Sequence, residues 1–318
     1  MHEFLDTNKL NFDEKALKLF KFQALNNSVY QAYIKHLGID ISMINKVIDI
    51  PFLPISLFKT HCILLNNSKE EITFLSSGTG NMERSKHLVS DVSIYKKSFE
   101  NSFKHFYGDI ENYCIQALLP SYLENGNSSL IYMINSLIES SPHELSAYIT
   151  EEELIKNIPT LKGQKVLLIG VSYALLDLAE KQQLNLENYI IMETGGMKGR
   201  RKEWTRNELH EVFKKSFNVN NIHSEYGMTE LLSQAYSQKN GVFNTPPWMK
   251  ITTRPLTEPF SSQQNGRSGV IKVIDLANIN SCAFIETSDL GKVYKDGSFE
   301  IIGRVDFEDI RGCNLMIY

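Results

Sequence analysis

Cysteine is scarce and scattered. The 318 residues hold four, Cys62, Cys114, Cys282 and Cys313, with no CxxC pair. That spacing argues against a zinc site or a disulfide scaffold and for a reducing, cytoplasmic setting. Charge of one sign is also missing. The 33 Lys and Arg are interleaved with 37 Asp and Glu for a net charge of −4. No basic block exists to neutralise a row of phosphates, so nucleic acid is not an expected partner. No stretch approaches the ~18 consecutive apolar residues of a membrane span. The opening "MHEFLDTNKLNFDEKALKLFKF" carries scattered acids and no apolar core, unlike a signal or transit peptide. The nucleotide signatures GxxxxGK[ST] and GxGxxG are absent, as are internal repeats and low-complexity linkers. What is present, 42% hydrophobic and 22% charged residues, suits a globular chain with room for a large core.

Periodicity organises that chain. Residues 13–37 predict two helices split at "NNS", with Ala16, Leu17, Leu19 and Phe20 at helical spacing. "IPFLPISLFK" (50–59), with two prolines, predicts an extended or turning segment. "EITFL" (71–75) predicts a strand running into "SSGTG", and 90–107 a capped amphipathic helix. A buried strand over 113–120 and a helix over 128–139 follow. The middle then alternates: strand 165–171, helix 172–181, strand 187–196, helix 205–217, and a short strand and turn at 221–227. Such alternation implies βαβ units on a parallel sheet. Beyond residue 245, "RSGVIKVIDL", "SCAFIETSDLGKV" and "GSFEIIGRVD" predict short strands. The expected fold class is therefore α/β, a body of parallel-sheet units with a β-rich C-terminal part.

Four stretches carry chemistry. "FLSSGTGNMERSKH" (74–87) puts hydroxyls and two glycines directly after a strand, where backbone N–H groups can curl around phosphate oxygens. Arg84, Lys86 and His87 lie just beyond and favour phosphate, but taken alone the stretch is more simply a Ser/Gly turn after a strand. "HSEYGMTE" (223–230), read as a strand-to-helix turn, offers an aromatic ring for a purine, a hydroxyl for a phosphate and a carboxylate for Mg²⁺. Its plainer explanation is a helix-start glutamate. "ETSDLG" (286–291) supplies an Asp suited to a ribose diol, and "GRVD" (303–306) an Arg fork. Each of these has an ordinary reading as a surface turn or salt bridge.

Their order resembles the adenylate-forming superfamily of acyl-CoA ligases, luciferase-type enzymes and peptide-synthetase adenylation domains. The resemblance spans roughly residues 50 to 318. It implies that Ser76, Ser77, Gly78, Thr79 and Gly80 form the phosphate loop and that Gly195 and Gly196 turn beside adenine. It further implies that Tyr226, followed by Gly227, stacks on adenine, that Thr229 meets the α-phosphate, and that Glu230 binds Mg²⁺. Asp289 corresponds to the ribose-binding aspartate, Arg304 to the arginine beside it, and Asp306 to the hinge. Within the superfamily, "PFLPISLFK", "GVSYALLDLAE", "GGMKGRRKE" and "RGCNL" are most similar to the acyl-protein synthetase (LuxE-like) branch, with phenylacetate-CoA ligases as nearest relatives.

That branch implies ATP and Mg²⁺ as cofactors and a fatty or aryl acid as substrate. It also implies Cys313 as acyl-carrying thiol and an acyl reductase or carrier protein as partner. The expected organisation is an adenylate-forming body over 1–302, then a hinge and short tail over 303–318 that carries Cys313, without the usual mobile C-terminal domain. Three departures stand out. The loop is one residue short of Ser-Gly-Thr-Thr-Gly, "TSD" replaces "TGD", and the superfamily's C-terminal lysine has no counterpart. Arg84, Lys86, Lys198, Arg200 or a partner must then supply that positive charge.

Other readings stay open at this point. An external thiol, coenzyme A or a carrier protein, can replace Cys313 as acceptor. A non-catalytic nucleotide- or acyl-binding subunit fits the short loop and missing lysine. A hydrolase reading places Ser172 in "GVSYA" as nucleophile, with Asp177 and either His210 or His223.

Overall fold

The computed structural model describes residues 11–77, 83–119, 127–195, 204–258 and 265–305. In chain order the elements begin with α1 (Phe12–Asn26), α2 (Ser28–His36), β1 (Leu53–Pro54) and α3 (Leu57–Thr60). Next come β2 (Ile72–Leu75), β3 (Lys86–Val89), α4 (Val92–Tyr107), β4 (Cys114–Leu118), α5 (Ser129–Ser140), β5 (Ala147–Tyr148) and α6 (Glu151–Asn157). Then follow β6 (Val166–Val171), α7 (Ser172–Lys181), β7 (Tyr189–Thr194), α8 (Arg206–Phe217), β8 (His223–Tyr226) and β9 (Ala235–Ser237). Last are β10 (Met249–Arg254), β11 (Ser268–Asp275), β12 (Phe284–Val293) and β13 (Phe299–Arg304).

Short-range polar signals set the helix starts. Asn11 and Glu14 form a capping box on α1, as do Thr150 and Glu153 on α6 and Thr205 and Glu208 on α8. Asn27 separates the first two helices: its side chain accepts the Val29 and Tyr30 N–H groups and so starts α2.

These elements gather into two compact units, one from the described residues up to Lys69 and from Pro247 on, the other from Glu70 to Pro246. In the second unit a six-stranded sheet runs β5-β4-β6-β7-β8-β9, parallel throughout except that β9 is antiparallel to β8. β4 and β6 are buried at every residue, the continuous apolar run of a central parallel strand. A separate antiparallel pair joins β2 to β3, from Ile72↔Val89 to Leu75↔Lys86. The strand over 86–89 was not expected; Lys86 and His87 belong to it rather than to the glycine loop.

In the first unit β1, β12, β11 and β10 lie side by side, with β13 added on β12. Two buried amides fasten its early helices to a segment late in the chain. Gln23 donates to the carbonyls of Asn278 and Ile279 (2.8 Å each) and accepts the Ala283 N–H (2.9 Å). Asn27 donates to the Ser281 carbonyl at 3.0 Å. Phe20, Tyr30 and Phe284 pack as a ring cluster beneath them, with centroids 6.0–6.3 Å apart. The fold is thus mixed α/β with parallel-sheet units. The described part of the body expected over 1–302 forms these two units, and β13 runs to Arg304.

Candidate functional site

The glycine-rich loop connects β2 to β3, so its two ends are held by strand pairing. One rung past the last strand pair, Ser76 N–H donates to the Ser85 carbonyl (3.0 Å), and Ser76 Oγ accepts the Ser85 N–H (2.9 Å). Ser76 therefore closes the mouth of the loop, while Ser77 beside it is exposed. Gly78, Thr79 and Gly80 lie outside the described residues. Arg84 is half-buried and Lys86 exposed at the foot of the loop.

His87 departs from the expectation that it adds charge near phosphates. It is fully buried on β3, and its Nδ1 lies 2.8 Å from the Thr229 carbonyl oxygen. A carbonyl only accepts, so Nδ1 carries the hydrogen in this contact. Two stretches far apart in sequence, the foot of the loop and the "YGMTE" turn, meet at this bond.

That turn leads from β8 into β9, with Tyr226 opposite Ala235. No helix follows it, which corrects the strand-to-helix reading and removes the helix-start explanation for Glu230. Tyr226 ends β8 with 8% of its surface exposed, its ring edge-on to Phe243 at 5.9 Å. Leu231 N–H closes the turn onto the Met228 carbonyl (3.1 Å), and the Ser233 and Ser98 hydroxyls, 2.9 Å apart, anchor it to α4. Glu230 is buried within it. Gly227 lies so close to the Glu225 carboxylate that a Cβ there would displace that side chain.

On the neighbouring strand, β7 ends at Thr194, and Gly195 turns with φ 67°, a left-handed angle that glycine takes without strain. Gly196 lies outside the described residues. Thr194 Oγ1 donates to Glu225, tying the glycine turn to the strand that ends in Tyr226. Burial pushes the Glu225 carboxyl up to about 7; the Thr194 hydrogen bond opposes that shift and Glu193 adds to it. Glu193 is buried too, yet its carboxyl is held down at about 2. Burial opposes ionisation there, but His210, Arg206 and Ser172 outweigh it. Arg206 Nε donates to it at 3.1 Å and Ser172 Oγ at 2.7 Å, and His210 Nε2 lies 3.6 Å away. None of these buried carboxylate contacts was legible beforehand, since only a charged residue inside an apolar strand hinted at them.

The same geometry answers the hydrolase reading. Ser172 is buried and donates to Glu193 and, at 3.2 Å, to the Gly195 carbonyl. His210 faces Glu193 and Ser224. His223 faces the Tyr107 hydroxyl (3.1 Å), and burial lowers its pKa to about 4. Among the described residues no histidine bonds Ser172.

In the first unit Asp289 and Arg304 face each other across β12 and β13, with Arg304 Nε donating to Asp289 Oδ1 at 3.0 Å. Asp289 is buried, and its N–H donates to Thr287 Oγ1 at 3.0 Å. Ser288, the residue of "TSD" that replaces glycine, is not among the described non-glycine residues with positive φ, so the substitution carries no backbone strain.

Of the described cysteines, Cys114 and Cys282 are buried and burial raises both thiols, Cys282 to about 12; Cys62 is exposed. Cys313, Asp306, Lys198 and Arg200 lie outside the described residues. Among the described residues no group of three or more His, Cys, Asp or Glu is placed to hold a metal. A single carboxylate such as Glu230 suits Mg²⁺ that keeps water and phosphate oxygens as its other ligands. No helix of the described chain is long and apolar enough to cross a membrane.

Comparison with solved structures gives the same body. The chain is similar to ATP-bound MatB from Rhodopseudomonas palustris (TM-score 0.54, 15% identity, covering 73% of this chain and 47% of that one). It is similar to O-succinylbenzoate coenzyme A synthetase (MenE) from Bacillus subtilis in complex with ATP and magnesium ion (TM-score 0.51, 17% identity, 73% and 49%). It is also similar to 2-hydroxyisobutyryl-CoA ligase in complex with 2-HIB-AMP and CoA (TM-score 0.67, 11% identity, 93% and 68%). The chain spans about half the length of the MatB and MenE structures it matches. A search of curated proteins gave no match. A family model described as acyl-protein synthetase, LuxE, matches residues 6–318. With the fold of adenylate-forming enzyme bodies and a match over nearly its whole length, the chain belongs to the LuxE acyl-protein synthetase family.

Proposed function

We propose that this protein activates a fatty acid with Mg-ATP and passes the acyl group to a thiol, its own Cys313 in the first instance. In the first step the carboxylate oxygen attacks the α-phosphorus, an acyl–O–P bond forms, and the bond to pyrophosphate breaks. In the second a thiolate attacks the acyl carbon, a C–S bond forms, and AMP leaves. A bare carboxylate is a poor electrophile, and the mixed anhydride overcomes this.

The observation that supports this reading best is the meeting of the loop's foot with the Thr229–Glu230 turn in one unit of a chain of this family. Ser76, Ser77, Gly78, Thr79 and Gly80 then cradle the β- and γ-phosphates, and Thr229 donates to the α-phosphate. Glu230 holds Mg²⁺. Gly195, Gly196, Tyr226 and Gly227 take the adenine, and Asp289 and Arg304 the ribose. Arg84 and Lys86 at the foot of the loop, with Lys198 and Arg200, bring positive charge to the phosphates. Residues 303–318 serve as the hinge and acyl-carrying tail, and a reductase or carrier protein in the cytoplasm receives the acyl group.

The test is to incubate the protein with Mg-ATP and fatty acids of several lengths and weigh it intact, beside Cys313→Ser and Cys62→Ser. A hydroxylamine-labile adduct that survives Cys62→Ser and vanishes in Cys313→Ser is the expected result. An adduct that persists in Cys313→Ser contradicts the assigned acceptor. Absence of both adduct and acid-dependent pyrophosphate exchange contradicts the activity itself.

A further inference from the structure

His87, on the stem of the glycine-rich loop, reaches the "YGMTE" turn through a hydrogen bond. Nothing in the sequence resemblance assigns it a role. It sits on β3 opposite Phe74 of β2, two residues past the Ser85 that closes the loop onto Ser76. Phe74 is itself held edge-on between Tyr95 (5.4 Å) and Tyr132 (5.7 Å), so the stem is anchored in an aromatic cluster. His87 is fully buried, and a ring in a close-packed interior has little freedom to leave its partner.

Its partner is a backbone carbonyl, and that fact gives the contact its reach. The Thr229 carbonyl and the Glu230 N–H share one planar peptide. Fixing the carbonyl fixes that plane, and with it the direction in which the chain presents Thr229 on one side and Glu230 on the other. Losing the donor would leave a half-buried carbonyl without this partner, which favours a peptide rotated towards another donor.

We propose that His87 is a positioning residue that locks the Thr229–Glu230 peptide to the stem of the phosphate loop, so that α-phosphate donor, metal ligand and loop are held in register. The inference rests on the adenylating function proposed above. It predicts a selective defect: the ATP-consuming half-reaction needs loop, metal ligand and α-phosphate donor together, whereas acyl transfer from a preformed acyl adenylate uses the α-phosphate donor alone and is the less affected of the two.

Both half-reactions are therefore measured in wild type, His87→Ala and His87→Asn. Acid-dependent pyrophosphate exchange reads the first, and acyl transfer from synthetic acyl adenylate the second. His87→Ala should lower the kcat of exchange by about 10²-fold, the cost of a misplacement of about 1 Å, while transfer from added adenylate falls much less. His87→Asn should recover most of the exchange, because its amide nitrogen stands where Nδ1 stands and donates in the same direction. Exchange in His87→Ala at the wild-type rate overturns the proposal. So does a parallel fall in both half-reactions with no recovery in His87→Asn, which would make the histidine a packing residue only. A wild type that exchanges nothing brings down the functional reading and this inference together, whereas an active wild type beside an equally active His87→Ala removes the inference alone.

Discussion

Glu193 is buried and Glu225 half-buried on adjacent parallel strands, and their carboxyls shift in opposite directions, one held down at about 2 and the other pushed up to about 7. The difference lies in their partners. Glu193 receives Arg206, His210 and Ser172, whereas Glu225 receives the Thr194 hydroxyl and the field of Glu193. Desolvation acts on both, and only one has cations to offset it.

This pair gives stability a pH dependence of known sign. Glu225 binds a proton in the folded protein that the unfolded chain releases, so its contribution is full below about 4.5 and is lost as pH rises through about 7. Glu193 behaves oppositely: its contribution is present above about 4.5 and is lost as pH falls towards 2. Glu225→Gln should therefore raise Tm at pH 8 by a few degrees and leave it nearly unchanged at pH 5. Thermal denaturation across that range checks this, and a variant curve parallel to wild type contradicts it.

Gly227 and Glu225 should show thermodynamic coupling. Gly227→Ala puts a methyl group against the Glu225 carboxylate and should cost ~1–3 kcal/mol, the usual cost of overpacking. In a Glu225→Ala background the same substitution should cost much less. Denaturant melts of the four proteins measure this, and additive effects would show that the two residues do not meet.

Ser172 is expected to be structural. Ser172→Ala removes a buried donor to an ionised carboxylate and should destabilise by ~1–3 kcal/mol. A serine-directed phosphonate should leave Ser172 unlabelled in the wild type. Labelling at that residue would reopen the hydrolase reading.

Arg304 should matter more to ATP than to folding. Its side chain is 81% exposed, so its pair with Asp289 contributes no more than ~1 kcal/mol to stability. If it reaches the ribose as proposed, Arg304→Ala raises the KM for ATP by about 10-fold, the loss of one charge-assisted hydrogen bond. Melting temperature and ATP saturation curves, measured together, separate the two effects; a large stability loss with unchanged KM contradicts the assignment.

How much of this was legible in the sequence depended on the range of the interactions. The alternation from β6 to β8 is visible because each element carries its own apolar period, and helix starts such as Thr205 with Glu208 are local boxes. β3 leaves little trace, because Lys86 and His87 look like charge beside a loop, whereas half of the strand's side chains are buried. The stretch after Tyr226 suggests a helix start because Glu230 fits that position; the pairing of β9 back onto β8 shows otherwise. The division into two units is invisible locally, since it depends on Gln23 and Asn27 finding carbonyls more than 250 residues away. The resemblance points to Tyr226, Thr229 and Asp289 by motif, but the His87 ring at the Thr229 carbonyl and the Phe243 ring against Tyr226 come from distant residues that no motif marks.

The most direct test of the central claim is acid-dependent exchange of labelled pyrophosphate into ATP, with Glu230→Gln alongside. The account predicts exchange only when Mg²⁺ and a fatty acid are both present, and its loss in Glu230→Gln with the fold intact. ATP binding without exchange, whatever acid is supplied, would contradict it and make the chain a nucleotide-binding subunit rather than an acyl-activating enzyme.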